Sequence, residues 1–160
     1  MSSNQVDDDE VIEPITQWLT FTLGDETYAV KVLQVQEVLL YTAIAPVPGS
    51  PSEVLGIINL RGNVVTVVDA RSRFSMPKRE IDDLTRIMIM DVQGLIIGVL
   101  VDSVSEVIDV KDEDIESPPD MNDSETSIFM QGIVTRNNEL HILINFDKLL
   151  SVSDIELLRN

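Results

Sequence analysis

Apolar and polar positions along this chain fall into short runs punctuated by turn residues. Trp18–Leu23 sets Trp18, Thr20 and Thr22 against Leu19, Phe21 and Leu23, an alternation that predicts a strand with one strongly apolar face. Gly24-Asp25 turns the chain and Thr27–Val30 returns, a first hairpin. Ile57–Leu60 and Val64–Val68 are rich in Val and Ile, which suit a pleated, half-buried surface. Between them Gly62-Asn63 predicts a type II′ turn with glycine at its first central position, leaving Arg61 at the rim. Asp69 ends the second strand, and Ala70–Phe74 reads as a short turn carrying Arg71 and Arg73. Arg86–Val92 and Leu95–Val101 are almost continuously apolar around Gln93-Gly94, as expected of a hairpin buried on both faces. Val104–Val110 alternates again, with Val104 and Val107 on opposite faces. Gly132–Arg136 and Glu139–Asn145 flank Asn137-Asn138, residues that tolerate left-handed backbone, for a fourth hairpin.

Other stretches read differently. Val32–Leu40 places Val32, Val35, Val38 and Leu39 on one helical face, with Gln34, Gln36 and Glu37 on the other. This predicts a short amphipathic helix, although the β-branched content is also that of a strand. Ala45–Pro51 is a proline-rich connection. Ser50-Pro51-Ser52-Glu53 and Ser153-Asp154-Ile155-Glu156 have the form of capping boxes, predicting one helical turn before the central hairpin and a short C-terminal helix. Hairpins must close or stack to bury a face, so the expected class is all-β with short helices, arranged as two small β-barrels packed around a shared core. About nine strands divide naturally at the polar loop Ser75–Asp83. Parallel βαβ units are not expected, because the connections are too short. Residues 1–15 are expected to be a disordered acidic tail and 16–160 the folded domain.

Composition sharpens this picture. The 160 residues carry a formal charge of −17 and are 44% hydrophobic, enough apolar material for a core. The charge argues against a nucleic-acid partner and against an anionic membrane surface. Acids concentrate in Asp7–Glu13 and Asp109–Glu125, whereas six of the eleven Lys and Arg residues lie between Arg61 and Arg86. There are no cysteines, so disulfides, thiol catalysis and Cys-based metal sites are excluded. No secretory signal is visible and no apolar run approaches the ~18 residues of a membrane span, so a cytoplasmic protein without membrane insertion is expected.

Catalytic chemistry finds little material. His141, the one histidine, sits in an apolar strand and reads as a hydrogen-bonded strand residue. Triads built on histidine, glycine-rich phosphate loops and the HExxH metal motif are absent, and no cofactor is implied. Asp69, Asp91 and Asp102 stand at strand ends. They could in principle serve as acid–base carboxylates, but strand-end aspartates more often hold turns. An all-oxygen metal site in Asp109–Glu125 lacks the spacing of a calcium loop. What remains is an interaction module.

The segments FTLGDETYAVKVLQVQEV, VLGIINLRGNVVTVVDARSRF, GVLVDSVSEVI and LHILINFDKLL resemble, in order and spacing, those of the CheW family of bacterial chemotaxis coupling proteins. The resemblance runs from about Thr16 to near the end of the chain and departs from the family pattern at Thr66, where many members have Pro, and at Ala70, where Leu is usual. It implies two SH3-like barrels and a scaffold rather than an enzyme. It also implies two partners: the histidine kinase CheA, through a regulatory C-terminal domain of the same fold, and the cytoplasmic tips of chemoreceptors, docked in the groove between the lobes. The resemblance carries partner-binding roles onto Val35, Glu37, Arg61, Val104 and Val107. Simpler readings of the same residues are core packing for the valines and a rim salt bridge between Glu37 and Arg61. An adaptor for a different kinase output, such as surface motility, has the same sequence features.

Overall fold

A computed structural model of the chain describes residues 14–117 and 129–149. The acidic N-terminal stretch Met1–Glu13, part of the second acidic loop and the expected helix at Ser153 lie outside the described residues. Ten strands are described: β1 (Ile15–Leu23), β2 (Glu26–Lys31), β3 (Val35–Leu40), β4 (Val54–Leu60), β5 (Asn63–Asp69), β6 (Arg86–Val92), β7 (Leu95–Val101), β8 (Ser103–Lys111), β9 (Met130–Arg136) and β10 (Glu139–Ile144). They make two five-stranded sheets, β8-β1-β2-β10-β9 and β3-β6-β7-β5-β4.

The division between the lobes differs from the expected one. The loop Ser75–Asp83 lies inside the second lobe, between β5 and β6, because β6 and β7 pair with β3 and β5. The second lobe is one continuous stretch, whereas the first is assembled from both ends of the chain. The chain crosses between lobes at the 3-10 turn Val32–Gln34 and again at Asp102, between β7 and β8. Each sheet holds one parallel pair, β2 with β10 and β5 with β7, and neither is a βαβ unit. One is reached by way of the other lobe and the other through the β6–β7 hairpin.

Each sheet curls until the segment beyond one edge strand meets the opposite edge. Ala45, beyond β3, bridges to Ile57 of β4; Glu116, beyond β8, bridges to Ile133 of β9. Both seams run beside a glycine. A Cβ at Gly56 would lie 2.1 Å from the Ala45 carbonyl oxygen, and one at Gly132 would lie 2.4 Å from the Ile115 side chain.

Burial follows from this closure. One face of each sheet fills its own barrel: Trp18, Ala29, Ile108, Val110, Val134 and Leu143 in the first, Ile58, Val65, Val67, Ile87 and Ile89 in the second. The other faces meet in a larger shared core that includes Leu19, Phe21, Leu23, Tyr28, Met88, Met90, Val92 and Ile97. Phe146, Phe21, Tyr28, Phe74 and Phe129 form an aromatic chain through it, each contact 4.8–6.5 Å between ring centroids. β6 and β7 are therefore buried on both faces, as their composition predicts. So is β1, where Trp18 and Thr20 are as buried as Phe21, and not on one face alone.

The lobes repeat one plan. β3, β4, β5, β6 and β7 correspond to β8, β9, β10, β1 and β2 in sheet position. One-turn helices follow the matched strands β5 and β10, at Ala70–Arg73 and Phe146–Leu149, and each is capped alike: Asp69 Oδ1 accepts from Arg71 N at 3.0 Å and Asn145 Oδ1 from Asp147 N at 2.9 Å.

Three local expectations are corrected. Val32–Leu40 is a 3-10 turn followed by β3, not an amphipathic helix, because β6 supplies a ladder of hydrogen-bonding partners. The Ser50-Pro51-Ser52-Glu53 segment forms a turn and no helix. The central hairpin turns on Arg61-Gly62, both left-handed with φ 50° and 89°, and Asn63 already belongs to β5. This is the primed geometry whose twist matches the flanking strands, with Asn59 Oδ1 accepting from Gly62 N at 2.9 Å.

Candidate partner-binding surface

The turn that sets Arg61 at the hairpin tip also aims it across the seam of the second barrel. Its guanidinium pairs with Glu37 of β3, Arg61 Nη1 donating to Oε1 at 3.3 Å and Nη2 making the closer contact with Oε2. β3 and β4 are the two edges of this sheet, so the pair joins edge to edge. The hydrogen bond from Arg61 lowers the Glu37 carboxyl from its ordinary value, and the same bond raises Arg61. The Arg61 side chain remains 67% exposed.

Val35 and Val38 lie on one face of β3 although they are three residues apart. The β3–β6 register shifts between Val35 and Glu37, so Val35 pairs with Met90 and Val38 with Met88, two residues of a single face. The bulge imitates a helical period, which accounts for the helix expected at Val32–Leu40. β8 has the same device. Val107 pairs with Leu19 and Val104 with Phe21, again across a register shift. Val104 and Val107 therefore share a face, contrary to the alternation expected from the sequence. Thr20 serves that bulge with one hydroxyl, donating to the Glu106 carbonyl and accepting from the Glu106 N–H, each at 3.0 Å. Val35-Gln36-Glu37-Val38 and Val104-Ser105-Glu106-Val107 are thus matched V-x-E-V segments in matched strands.

In both segments the leading valine packs on the shared core and the trailing one reaches solvent. Val35 and Val104 are half-buried against the core, while Val38 and Val107 are 38% and 51% exposed. Leu40 continues the β3 face at 71% exposure, opposite Arg86. The face that makes the interlobe core thus emerges at β3 as an exposed apolar strip. Val38 and Leu40 are missing from the residues chosen by sequence; reading Val32–Leu40 with a period of two and one bulge would have found them.

Of the strand-end aspartates, Asp69 and Asp102 line one small cavity with Arg71 and Arg79, while Asp91 is not part of it, and each is committed to a structural bond. Asp69 caps the one-turn helix after β5, and Asp91 Oδ1 accepts from Gly94 N at 2.9 Å in the β6–β7 turn. Asp102 is the centre of a charged cluster between the lobes. It accepts from Arg71 Nε at 2.8 Å and Nη2 at 2.6 Å, from Arg79 Nη1 at 2.9 Å, and from Gly24 N at 2.7 Å. Burial alone would raise its carboxyl. The bonds from Arg71, Gly24 and Arg79 outweigh that and hold it at about 2. His141 is buried, with Nδ1 3.3 Å from the Glu139 carbonyl. Among the described residues no cluster of three or more His, Asp and Glu is placed to hold a metal ion, and no helix is long and apolar enough to cross a membrane.

Comparison with known proteins agrees with this architecture. A family model described as the CheW-like domain matches residues 17–154. The chain is 34% identical to the chemotaxis protein CheW of Bacillus subtilis over 132 residues, covering 82% of this chain and 85% of that protein. It is 30% identical over 142 residues to the protein FrzA of Myxococcus xanthus, covering 88% of each. The crystal structure of the scaffolding protein TtCheW from Thermoanaerobacter tengcongensis superposes with a TM-score of 0.79 at 33% identity, covering 88% of this chain and 96% of that one. Both bulged V-x-E-V strands, both seams and the Asp102 cluster fall within the matched span, and the chain belongs to the CheW-like family.

Proposed function

We propose that this chain is a chemotaxis coupling scaffold that links chemoreceptors to the histidine kinase CheA and lets receptor state control the kinase. The match across residues 17–154, which takes in both lobes, carries this reading. The geometry suits it. The exposed strip of Val38 and Leu40 beside the interlobe core is apolar and open, as a groove for a receptor's helical tip requires. The Glu37–Arg61 pair lies at the seam of the same barrel, on the face of β3 that pairs with Ile89. Val35, Glu37, Arg61, Val104 and Val107 are the proposed partner-binding residues, with Val38 and Leu40 added by the structure. The scaffold needs no active site of its own: receptor and kinase each bias one shared module. It works in the cytoplasm, at the membrane-bound receptor array.

Binding to the regulatory C-terminal domain of a CheA-type kinase from the same cell, measured by pull-down at two salt concentrations, tests this. Capture supports the coupling role. No capture by any such kinase favours the second reading, an adaptor for another kinase cascade.

A further inference from the structure

The repeated plan of the lobes makes the two crossovers comparable, and they are not built alike. At each, three matched elements meet: the crossover segment, the one-turn helix after β5 or β10, and the turn of the β1–β2 or β6–β7 hairpin. At one, Asp102 accepts from Arg71 of the helix and from Gly24 N of the turn, with Arg79 as a third arm. The Arg71 and Asp102 side chains are 11% and 8% exposed. At the other, Gln34 Nε2 donates to Asp147 Oδ1 of the helix at 3.2 Å, and Gln93 Nε2 of the turn donates to the Asp147 carbonyl at 3.0 Å. Both of those bonds are exposed. A buried carboxylate held by a guanidinium fork stands where the other side has exposed amide bonds from Gln34 and Gln93.

We infer that the two crossovers are mechanically unequal: the Asp102 crossover is a fixed pivot, and the Val32–Gln34 crossover is a yielding joint through which β3 shifts against the first lobe. Water competes with the amide bonds and hardly reaches the Arg71–Asp102 pair. The backbone agrees. Asp102 N is bonded to the Thr22 carbonyl at 3.1 Å, tying the pivot into β1. The shared core, with Phe21, Met88 and Phe146 at 0% exposure, holds the lobes together, so the movement is a local shift of β3 and not a separation. Leu33, 95% exposed, sits at the joint in the place that Asp102 occupies at the pivot. The bearing on signalling rests on the coupling function proposed above, since β3 carries the apolar strip. The inequality itself does not.

Hydrogen exchange of the full chain, read amide by amide, tests it. The amides of Gly24 and Asp102 are expected to have protection factors at least ~10-fold above those of Val35 and Asp147. Equal or reversed protection overturns the assignment. Replacing both joint amides, Gln34→Ala with Gln93→Ala, is expected to raise exchange in β3 and at Asp147 while leaving Gly24 and Asp102 unchanged. Asp102→Asn is expected to raise exchange in both lobes; should that variant fail to fold, Arg79→Gln, which keeps the Arg71 fork, is expected to raise exchange at Gly24 and Asp102. If the glutamine variant loosens Gly24 and Asp102 as much as β3, the pivot is not where we place it. All measurements use the free protein, so their failure leaves the coupling function standing, and absence of kinase binding leaves the inequality standing.

Discussion

Glu37 and Arg61 belong to opposite edges of the second sheet and hold each other across the seam where it closes. Their contact is exposed, so solvent competes for it and its share of stability is small. Arg61→Ala and Glu37→Ala are expected to melt within about 3 °C of the parent chain by calorimetry. In a reconstituted receptor–kinase assay the same variants are expected to lose receptor-dependent activation. Full activation by both would remove these two residues from the proposed surface.

Arg71→Ala presents the opposite case. Among the described residues it leaves a buried carboxylate with Arg79 and the Gly24 amide as its donors. Breaking a buried, hydrogen-bonded pair by removing one partner costs roughly 3–5 kcal/mol, which urea denaturation will read as a lower midpoint. A loss comparable to that of Arg61→Ala would mean that water enters the cluster freely.

Acid should weaken the fold through the same aspartate. The folded chain holds the Asp102 carboxyl at about 2 against an ordinary value of 3.8, so below 3.8 the unfolded chain takes up the proton first. Stability from this group is complete above 3.8 and fades as the pH falls toward 2. Its size is on the order of 2 kcal/mol. Glu37 and Asp82 are also held below their ordinary values and act in the same direction. Denaturation midpoints of the parent chain and of Asp102→Asn, compared from pH 5 down to about pH 2, should converge in acid. Parallel curves would contradict the assignment.

The two seam glycines differ in what a methyl group would strike. At Gly56 it meets backbone, the Ala45 carbonyl oxygen, at a residue whose φ is 149°; at Gly132 the nearest atom is the branch methyl Cγ2 of the Ile115 side chain, with the Glu116 oxygen at 3.1 Å. Gly56→Ala is therefore expected to cost more than Gly132→Ala, by ~1–3 kcal/mol, because a side chain can turn aside and a bridging carbonyl cannot. Chemical denaturation of both variants decides the order.

Val38→Asp and Leu40→Asp place charge on the exposed strip and leave the core intact. Their melting temperatures should remain near that of the parent, with receptor-fragment binding reduced at least ~10-fold in a titration. Unchanged binding would take the strip out of the docking surface.

The chain's own pattern was enough to determine the hairpins, the buried nature of β6 and β7, and the class of fold, because each depends on neighbours two to ten residues apart. The Gln93-Gly94 turn and the doubly apolar strands beside it need no distant partner to be read. The site was half legible. Of the proposed surface, Val35, Glu37, Arg61, Val104 and Val107 can be picked out in the sequence, whereas Val38 and Leu40 were missed. That Val104 and Val107 share a face cannot be read there, because the bulge depends on pairing with Leu19 and Phe21 far away in the chain. For the same reason Val32–Leu40 passed for a helix until β6 supplied its partners. The lobe boundary was likewise a tertiary decision: nothing local to Ser75–Asp83 shows that β6 returns to β3. The role of Asp102 was the least visible, since its donors come from Gly24, Arg71 and Arg79 and meet only once both lobes have formed. Local hydrogen bonding and apolar periodicity act within a strand or a turn, whereas closure, bulges and buried charge are settled by contacts that exist only when the two barrels share a core.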